Sequence, residues 1–316
     1  VRDPLLARLS ARPGRRVSGT VLARALELTR SAVHKRVARL REGGYRIDGA
    51  SRLGYRLEAS PDRLDREGLL GGGITEVVLF ESLGSTQDEA KSRAARGAPE
   101  GTLIVAERQT AGRGRLGRSW DSPAGGLWFS LILRPPHLPE RVPALTLIAA
   151  LEWAKLLEKH GVPARLKWPN DLWVEGKKLA GLLTEMSAET DRVHWVALGV
   201  GMNVLNDAPR GTAIPAVSLK DILPSPPSRQ ELLSAWLKEF FASRKTYFRR
   251  GFAAFQKDYE RRLLLRGRRV TFLSDAGPRS GRVTGVDGEG RLLLDTPRGP
   301  VAVSGGEVSL IRLNSR

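Results

Sequence analysis

The stretch Gly112-Arg113-Gly114-Arg115-Leu116-Gly117-Arg118-Ser119-Trp120 decides how the middle of this chain is read. It follows an apolar run, Thr102-Leu103-Ile104-Val105-Ala106, that reads as a buried strand. Its three glycines let the backbone turn with positive φ and approach a ligand closely. Its three arginines carry fixed charge and several donors each, suited to carboxylate and phosphate oxygens. The segment is therefore a candidate clamp over an anionic small molecule. The spacing also satisfies G-x-G-x-x-G, the dinucleotide fingerprint, but that motif must run straight into a helix. Here Gly117 leads into Arg-Ser-Trp-Asp-Ser-Pro-Ala-Gly-Gly, which is loop chemistry. An Arg-Gly surface patch touching nucleic acid is the blander alternative.

Working outward, composition narrows the class. The 316 residues suffice for two or three domains, and 41% hydrophobic content supports ordinary globular cores. No apolar run reaches the ~18 residues of a membrane span. Val1-Arg2-Asp3-Pro4 lacks the apolar core of a signal peptide, so a cytoplasmic location is expected. With no cysteine there are neither disulfides nor thiolate sites, and four scattered histidines predict no structural metal. Net charge is +18, and residues 1–60 hold 14 Lys+Arg against 5 Asp+Glu. Half of the excess charge thus sits in under a fifth of the chain. That clustering points to a polyanion-binding module.

The N-terminal pattern fits such a module. Leu5, Leu6 and Leu9 give a first helix its apolar face. Ser18 is an N-cap for a second helix carrying Val21, Leu22, Ala25 and Leu26. After a turn at Glu27-Leu28, Thr29 caps a third helix to about Glu42, with Val33, Val37 and Leu40 inward. Gly43-Gly44 ends it, and Tyr45–Ile47 and Gly54–Leu57 read as two strands around a turn bearing Arg52. Helix, helix, turn, polar-faced helix and hairpin make a winged helix-turn-helix. Arg30, Ser31, His34 and Lys35 would lie nearest the bases in a major groove, Arg36 and Arg39 would meet phosphates, and Arg52 on the wing would also touch DNA. A protein-interaction module with a solvated basic face is the competing reading.

Pro61, several charges and Gly71-Gly72-Gly73 mark a linker over 61–73. A catalytic-type domain over 74–262 then opens with Val77–Phe80 as a strand and Ser85-Thr86-Gln87-Asp88-Glu89 as a helix start. Leu127–Leu133 is a buried strand, and about 140–160 is a long helix. The second informative stretch is Lys167-Trp168-Pro169-Asn170-Asp171, followed by Glu175-Gly176-Lys177-Lys178-Leu179-Ala180-Gly181. Turns fall at Pro169–Asp171 and Glu175-Gly176, so Lys177 and Lys178 open a returning strand. Strand neighbours face opposite ways, so one lysine meets solvent while the other faces a ligand beside Asp171. Gly199-Val200-Gly201-Met202-Asn203 ends a further strand, its glycines leaving room for a ligand or a second backbone. Ser228 caps a helix to about Phe248, and short strands with turn residues fill 263–316, a small β-barrel. The fold class expected is α+β.

Together these stretches resemble the biotin–protein ligase family, in particular its bifunctional members that also repress biotin genes. Gly-Arg-Gly-Arg-x-Gly-Arg, Lys-Trp-Pro-Asn-Asp with Gly-x-Lys-Leu-Ala-Gly, and Gly-x-Gly-x-Asn at 199–203 occur in that family's order. The resemblance covers essentially the whole chain. It implies a winged helix over 1–60, a mixed α/β ligase domain of class II synthetase type over 74–262, and an SH3-like barrel over 263–316.

The resemblance implies a two-step reaction. Biotin and Mg-ATP give biotinyl-5′-AMP and pyrophosphate; a lysine of the biotin carboxyl carrier protein of acetyl-CoA carboxylase then displaces AMP. The adenylate-bound homodimer would bind operator DNA. The family's positions map onto Lys178, Arg115 and Asp171 for catalysis, and onto Ser85, Thr86, Gln87, Gln109, Arg113, Gly114, Arg115 and Lys178 for biotin. They map onto Arg118, Trp120, Asn170 and Asn203 for the nucleotide, with Mg2+ arriving on ATP and no resident metal. Gln87 stands where some relatives have Asn. A repressor that senses the adenylate without transferring it, a ligase with a silent DNA module, and a lipoate ligase are the alternatives.

Overall fold

The computed structural model describes residues 3–12, 14–42, 45–50, 53–59, 62–136, 138–274, 277–305 and 308–310. They form two compact units, 1–63 and 64–316.

In the first unit, α1 (Pro4–Ser10), α2 (Gly19–Ala25) and α3 (Arg30–Glu42) precede a hairpin of β1 (Arg46–Ala50) and β2 (Gly54–Ala59). The caps are local and legible. Ser18 Oγ accepts from Thr20 N, and Thr29 Oγ1 from Ala32 N at 3.1 Å. Leu5, Leu9, Val17, Leu22, Ala23, Val33, Val37 and Ile47 make the core. Val21, expected on the buried face of α2, is exposed, and Ala23 is buried in its place. On a seven-residue helix at 100° per residue, Leu22 and Ala23 set the buried arc and leave Val21 outside it. A two-way bridge between Val17 and Tyr55 fastens the hairpin to the segment before α2.

The second unit opens with α4 (Arg66–Leu69), capped by Asp65, whose Oδ2 accepts from Gly68 N. Part of the expected linker therefore belongs to this unit: Ser234 donates to the Gly68 carbonyl, and Leu69 is buried. Next come β3 (Glu76–Leu83), α5 (Thr86–Ala95), β4 (Thr102–Gln109), β5 (Leu127–Leu133) and α6 (Val142–Lys159). β6 (Arg165–Lys167), β7 (Asp171–Val174), β8 (Lys177–Ala188) and β9 (Val193–Met202) complete one sheet. α7 (Arg229–Arg250) and α8 (Gln256–Arg262) follow, then the strands β10 (Arg269–Ser274), β11 (Gly277–Val286), β12 (Leu292–Thr296), β13 (Gly299–Val303) and β14 (Val308–Leu310).

The large sheet runs β3-β4-β5-β9-β8-β7-β6. Only β3 and β4 pair in parallel, with α5 as their crossover. One face carries α5 on Ile104, Ile132 and Ala197. The other carries α6 and α7, where Trp153, Trp236 and Phe240 stack at 5.1 and 4.9 Å. Because both faces are covered, β5 is buried along its whole length. The C-terminal part is strand-rich as expected, in the order β13-β12-β11-β10-β14. It shares its core with the central sheet, since Val270, Phe272, Val283 and Leu292 join the same cluster as Leu166 and Tyr259.

Buried arginines brace the second unit. Arg244 forks onto Glu100 at 2.7 and 2.9 Å, and Glu100 also accepts from Arg134 N. Glu100→Ala leaves Arg244 in a largely dry site. It is expected to cost about 2–3 kcal/mol, somewhat less than a fully buried pair because Glu100 is partly exposed. A urea melt of the variant against the parent checks this through its midpoint.

Candidate active site

The carboxyl ends of β3 and β4 converge on one edge of the sheet, where open α/β sheets place their ligands. Thr110 N and Ala111 N bond back to Leu83 O and Gly84 O, so the two chain exits stay side by side. From the first exit, Ser85 caps α5 by accepting from Asp88 N. From the second runs the arginine-glycine loop.

That loop is folded on itself. Gly114 N donates to Arg118 O at 2.7 Å and Trp120 N to Gly112 O at 2.8 Å. Residues 115–117 form one 3-10 turn, with Leu116 at φ 56 and Gly117 at φ 72. No helix opens at Gly117, which removes the dinucleotide reading. A cleft of about 520 Å³ is lined by residues 111–119 with Leu183 and Glu185. Arg113 reaches Asp88 at 2.6 Å, and Arg115 Nη1 donates to Asn170 Oδ1 at 3.1 Å. Asn170 Nδ2 donates to Leu182 O, which fixes its amide. Arg118 is exposed on the loop. At the cleft rim Lys91 bonds Glu185 at 2.8 Å, and that hydrogen bond holds its ammonium pKa above the ordinary value.

Of the two lysines, Lys178 is the one that meets Asp171. Glu175 (φ 49) and Gly176 (φ 76) make the two-residue turn between β7 and β8. Lys177 then points to solvent, while Lys178 Nζ lies 2.8 Å from Asp171 Oδ1, both side chains under a fifth exposed. The contact is an ion pair without aligned hydrogen-bond geometry, so Oδ1 is buried with no aligned donor. The Lys178 backbone is pinned by Pro215 O and Val217 N. Its ammonium lies 5.1 Å from the centre of the Trp120 ring.

Trp120 lies against the sheet because two glycines make room. A Cβ at Gly201 would stand 2.6 Å from Trp120 Nε1, and one at Gly181 3.0 Å from Trp120 Cζ3. Gly201→Ala is therefore expected to push the indole off the sheet. An overpacking cost of about 1–2 kcal/mol corresponds to roughly a tenfold loss in kcat/KM for the first chemical step. Steady-state pyrophosphate release measures it.

The remaining predicted residues divide. Thr86 N and Oγ1 both donate to Gln109 Oε1, at 2.8 and 3.0 Å. Gln87 is buried, with its amide committed to Ala197 O and Ser130 Oγ and lying 2.5 Å from where a Gly199 Cβ would stand. Asn203 is buried too; it donates to Val217 O and accepts from Asn206 Nδ2 at 2.9 Å. Both amides are thus engaged with the protein itself. Sequence reasoning missed Ser122 and Ser130, which bond Gln109 and Thr86. Ser130 had a signal: a single hydroxyl in the apolar run Leu127–Leu133 must find a partner when buried. Lys91 and Glu185 had none, because their pairing joins α5 to β8, far apart in the chain.

In the first unit Arg30, Ser31, His34, Lys35 and Arg39 are exposed along α3. His34 Nδ1 lies 3.3 Å from the Tyr55 hydroxyl of the hairpin. Arg36, grouped with them from sequence, is drawn away to Asp3 at 2.8 Å, because 100° per residue turns it toward α1. Arg52 lies outside the described residues.

Chemically, this edge presents cations for oxyanions, one buried carboxylate and a polar pocket at a helix start. Three family models match the chain: the HTH domain over residues 2–56, the Biotin/lipoate A/B protein ligase family over 79–203, and the Biotin protein ligase C terminal domain over 266–311. The Bifunctional ligase/repressor BirA of Bacillus subtilis (strain 168) is 38% identical over 93% of this chain and 94% of its own length. The chain belongs to the biotin protein ligase family.

Two other members of the biotin protein ligase family match a smaller share of the chain. The Biotin--[acetyl-CoA-carboxylase] ligase of Mycobacterium tuberculosis (strain ATCC 25618 / H37Rv) is 35% identical over 77% of this chain and 91% of its own length. The biotin protein ligase of Aquifex aeolicus, solved with biotin and ATP, superposes with a TM-score of 0.66 at 32% identity, over 76% of this chain and all of that one. No helix among the described residues is long and apolar enough to cross a membrane.

Proposed function

We propose that this protein is an ATP-dependent biotin–protein ligase that also acts as a biotin-responsive transcriptional repressor in the cytoplasm. The observation that carries the catalytic half is the Lys178–Asp171 ion pair under Trp120, beside a loop with three arginines. A free carboxylate and a triphosphate repel one another, so joining them needs fixed cations in a site that excludes water.

In the first step a biotin carboxylate oxygen attacks the α-phosphorus of ATP and pyrophosphate leaves. Arg113 and Arg115 hold the carboxylate, Arg118 the phosphates, and Lys178 the charge that builds on the α-phosphoryl oxygens. Ser85, Thr86, Gln109 and the Gly114 backbone receive the ring end of the acid. Trp120 covers the join and Asn170 sets Arg115. Gln87 and Asn203 support these groups from within the protein. Mg2+ arriving on ATP would offset charge on the pyrophosphate. In the second step a lysine amine of the carrier protein attacks the mixed anhydride and AMP leaves. Asp171, freed from Lys178 as the latter turns to phosphate, accepts that amine's proton.

For the regulatory half, α3 offers Arg30, Ser31, His34, Lys35 and Arg39 to an operator major groove. Adenylate-dependent homodimerisation would bring two such helices to a two-fold site.

The test incubates protein, Mg-ATP, biotin and a biotin carrier domain, with lipoate and its acceptor domain in parallel. Intact mass reports acceptor modification and chromatography the adenylate. Biotin-dependent modification supports the ligase. Adenylate without transfer would favour a sensor, and lipoate-dependent modification the lipoate reading.

A further inference from the structure

One hydroxyl ties the acid-binding end of the cleft to Trp120. Ser122 Oγ accepts from Gln109 Nε2 at 2.8 Å and donates to the Trp120 carbonyl at 3.1 Å. The Gln109 amide is fixed from its other end by Thr86 N and Oγ1. Gly112 leaves space for this link: a Cβ there would stand 2.4 Å from Trp120 O and 2.7 Å from Ser122 Oγ. Ser122 is 2% exposed, so no bulk water substitutes for a lost partner.

We propose that Ser122 is a positioning residue that couples occupancy of the acid's ring pocket to the seating of Trp120 over Lys178, and through it to nucleotide binding. The inference rests on the ligase reading above. A ring that hydrogen-bonds Gln109 or Thr86 fixes or turns the Gln109 amide. Ser122 has one proton, so whichever way Gln109 Nε2 points decides whether the serine still holds the Trp120 carbonyl. Trp120 lies so close to the sheet on the far side that a Cβ at Gly181 or Gly201 would crowd its ring. Coupling of this kind is reciprocal: biotin tightens the nucleotide as much as the nucleotide tightens biotin.

The full chain, Ser122→Ala, Ser122→Thr and Gly112→Ala are titrated calorimetrically with α,β-methylene-ATP, with and without saturating biotin. The parent binds the analogue more tightly with biotin present. Ser122→Ala is expected to bring that ratio down by roughly fivefold, the worth of one neutral hydrogen bond, with biotin affinity in the absence of nucleotide within about twofold of the parent. Gly112→Ala loses the ratio by crowding the same link, and Ser122→Thr keeps it by keeping the hydroxyl. An unchanged ratio in Ser122→Ala overturns the inference. So does an equal fall in both affinities with the ratio intact, which is what a merely structural serine would give. A parent that binds biotin but shows no ratio overturns it as well, whereas a parent that binds no biotin sinks the ligase reading itself.

Discussion

Lys178→Ala is expected to lower the rate of biotinyl-adenylate synthesis by roughly 10²–10³-fold, the loss that follows removal of one preorganised oxyanion donor. Three features place the effect on kcat. The ammonium is held within 2.8 Å of Asp171, its backbone is pinned on both sides by Pro215 and Val217, and the Trp120 ring lies 5.1 Å away. With its backbone fixed, the side chain has only to turn from Asp171 to meet the charge that builds on the phosphoryl oxygens. In the unliganded protein Asp171 occupies it; a phosphate replaces one anion by another, so binding alone changes little. Pyrophosphate release under saturating biotin and ATP measures the rate, and single-turnover transfer from pre-formed adenylate separates the second step. Near-parental adenylate synthesis would falsify the role given to Lys178. Lys178→Arg is expected to rescue little, because a planar fork does not fit the site of a point charge.

Deleting residues 1–63 is expected to remove operator binding, a loss of at least about 10³-fold, the usual gap between specific and non-specific affinity. The deletion is clean in structural terms because the two units have separate cores: Leu5, Leu22, Val33 and Ile47 cluster by themselves. Circular dichroism of the truncated chain checks that residues 64–316 keep their fold. The salt dependence gives a finer test. Each phosphate contact adds about −0.9 to the slope of log K against log salt, so Arg39→Ala lowers the slope by about one unit. Arg36→Ala leaves the slope unchanged, since Arg36 is held on Asp3. Equal slopes for the truncated and full chains would mean that the DNA-binding surface lies elsewhere.

Much of the site was legible because its signals are local. The caps at Ser18, Thr29, Ser85 and Ser228 follow from a hydroxyl before an apolar-periodic run. The Glu175-Gly176 turn follows from Gly176, which takes positive φ freely, and once it is set, strand alternation sends Lys177 and Lys178 to opposite faces. Reading α3 as polar-faced needed only its 3.6-residue period. The same local rules misplaced Val21 and set Arg36 toward phosphates although it is held on Asp3, since a short helix has several arcs its neighbours could cover.

The sequence by itself determined where the main helices and strands fall, that Lys177 and Lys178 take opposite faces, and which segment carries the excess charge. Each of these depends on residues within a turn or two of one another. Tertiary structure alone decided that Trp120 lies on Gly181 and Gly201, that Gln87 and Asn203 turn into the protein, and that Ser122 joins Gln109 to Trp120. Those outcomes rest on pairings between strands far apart in the chain. Register there is set by the whole sheet, through β8 on β9 and β9 on β5, and a shift of one residue would turn Lys178 to the opposite face.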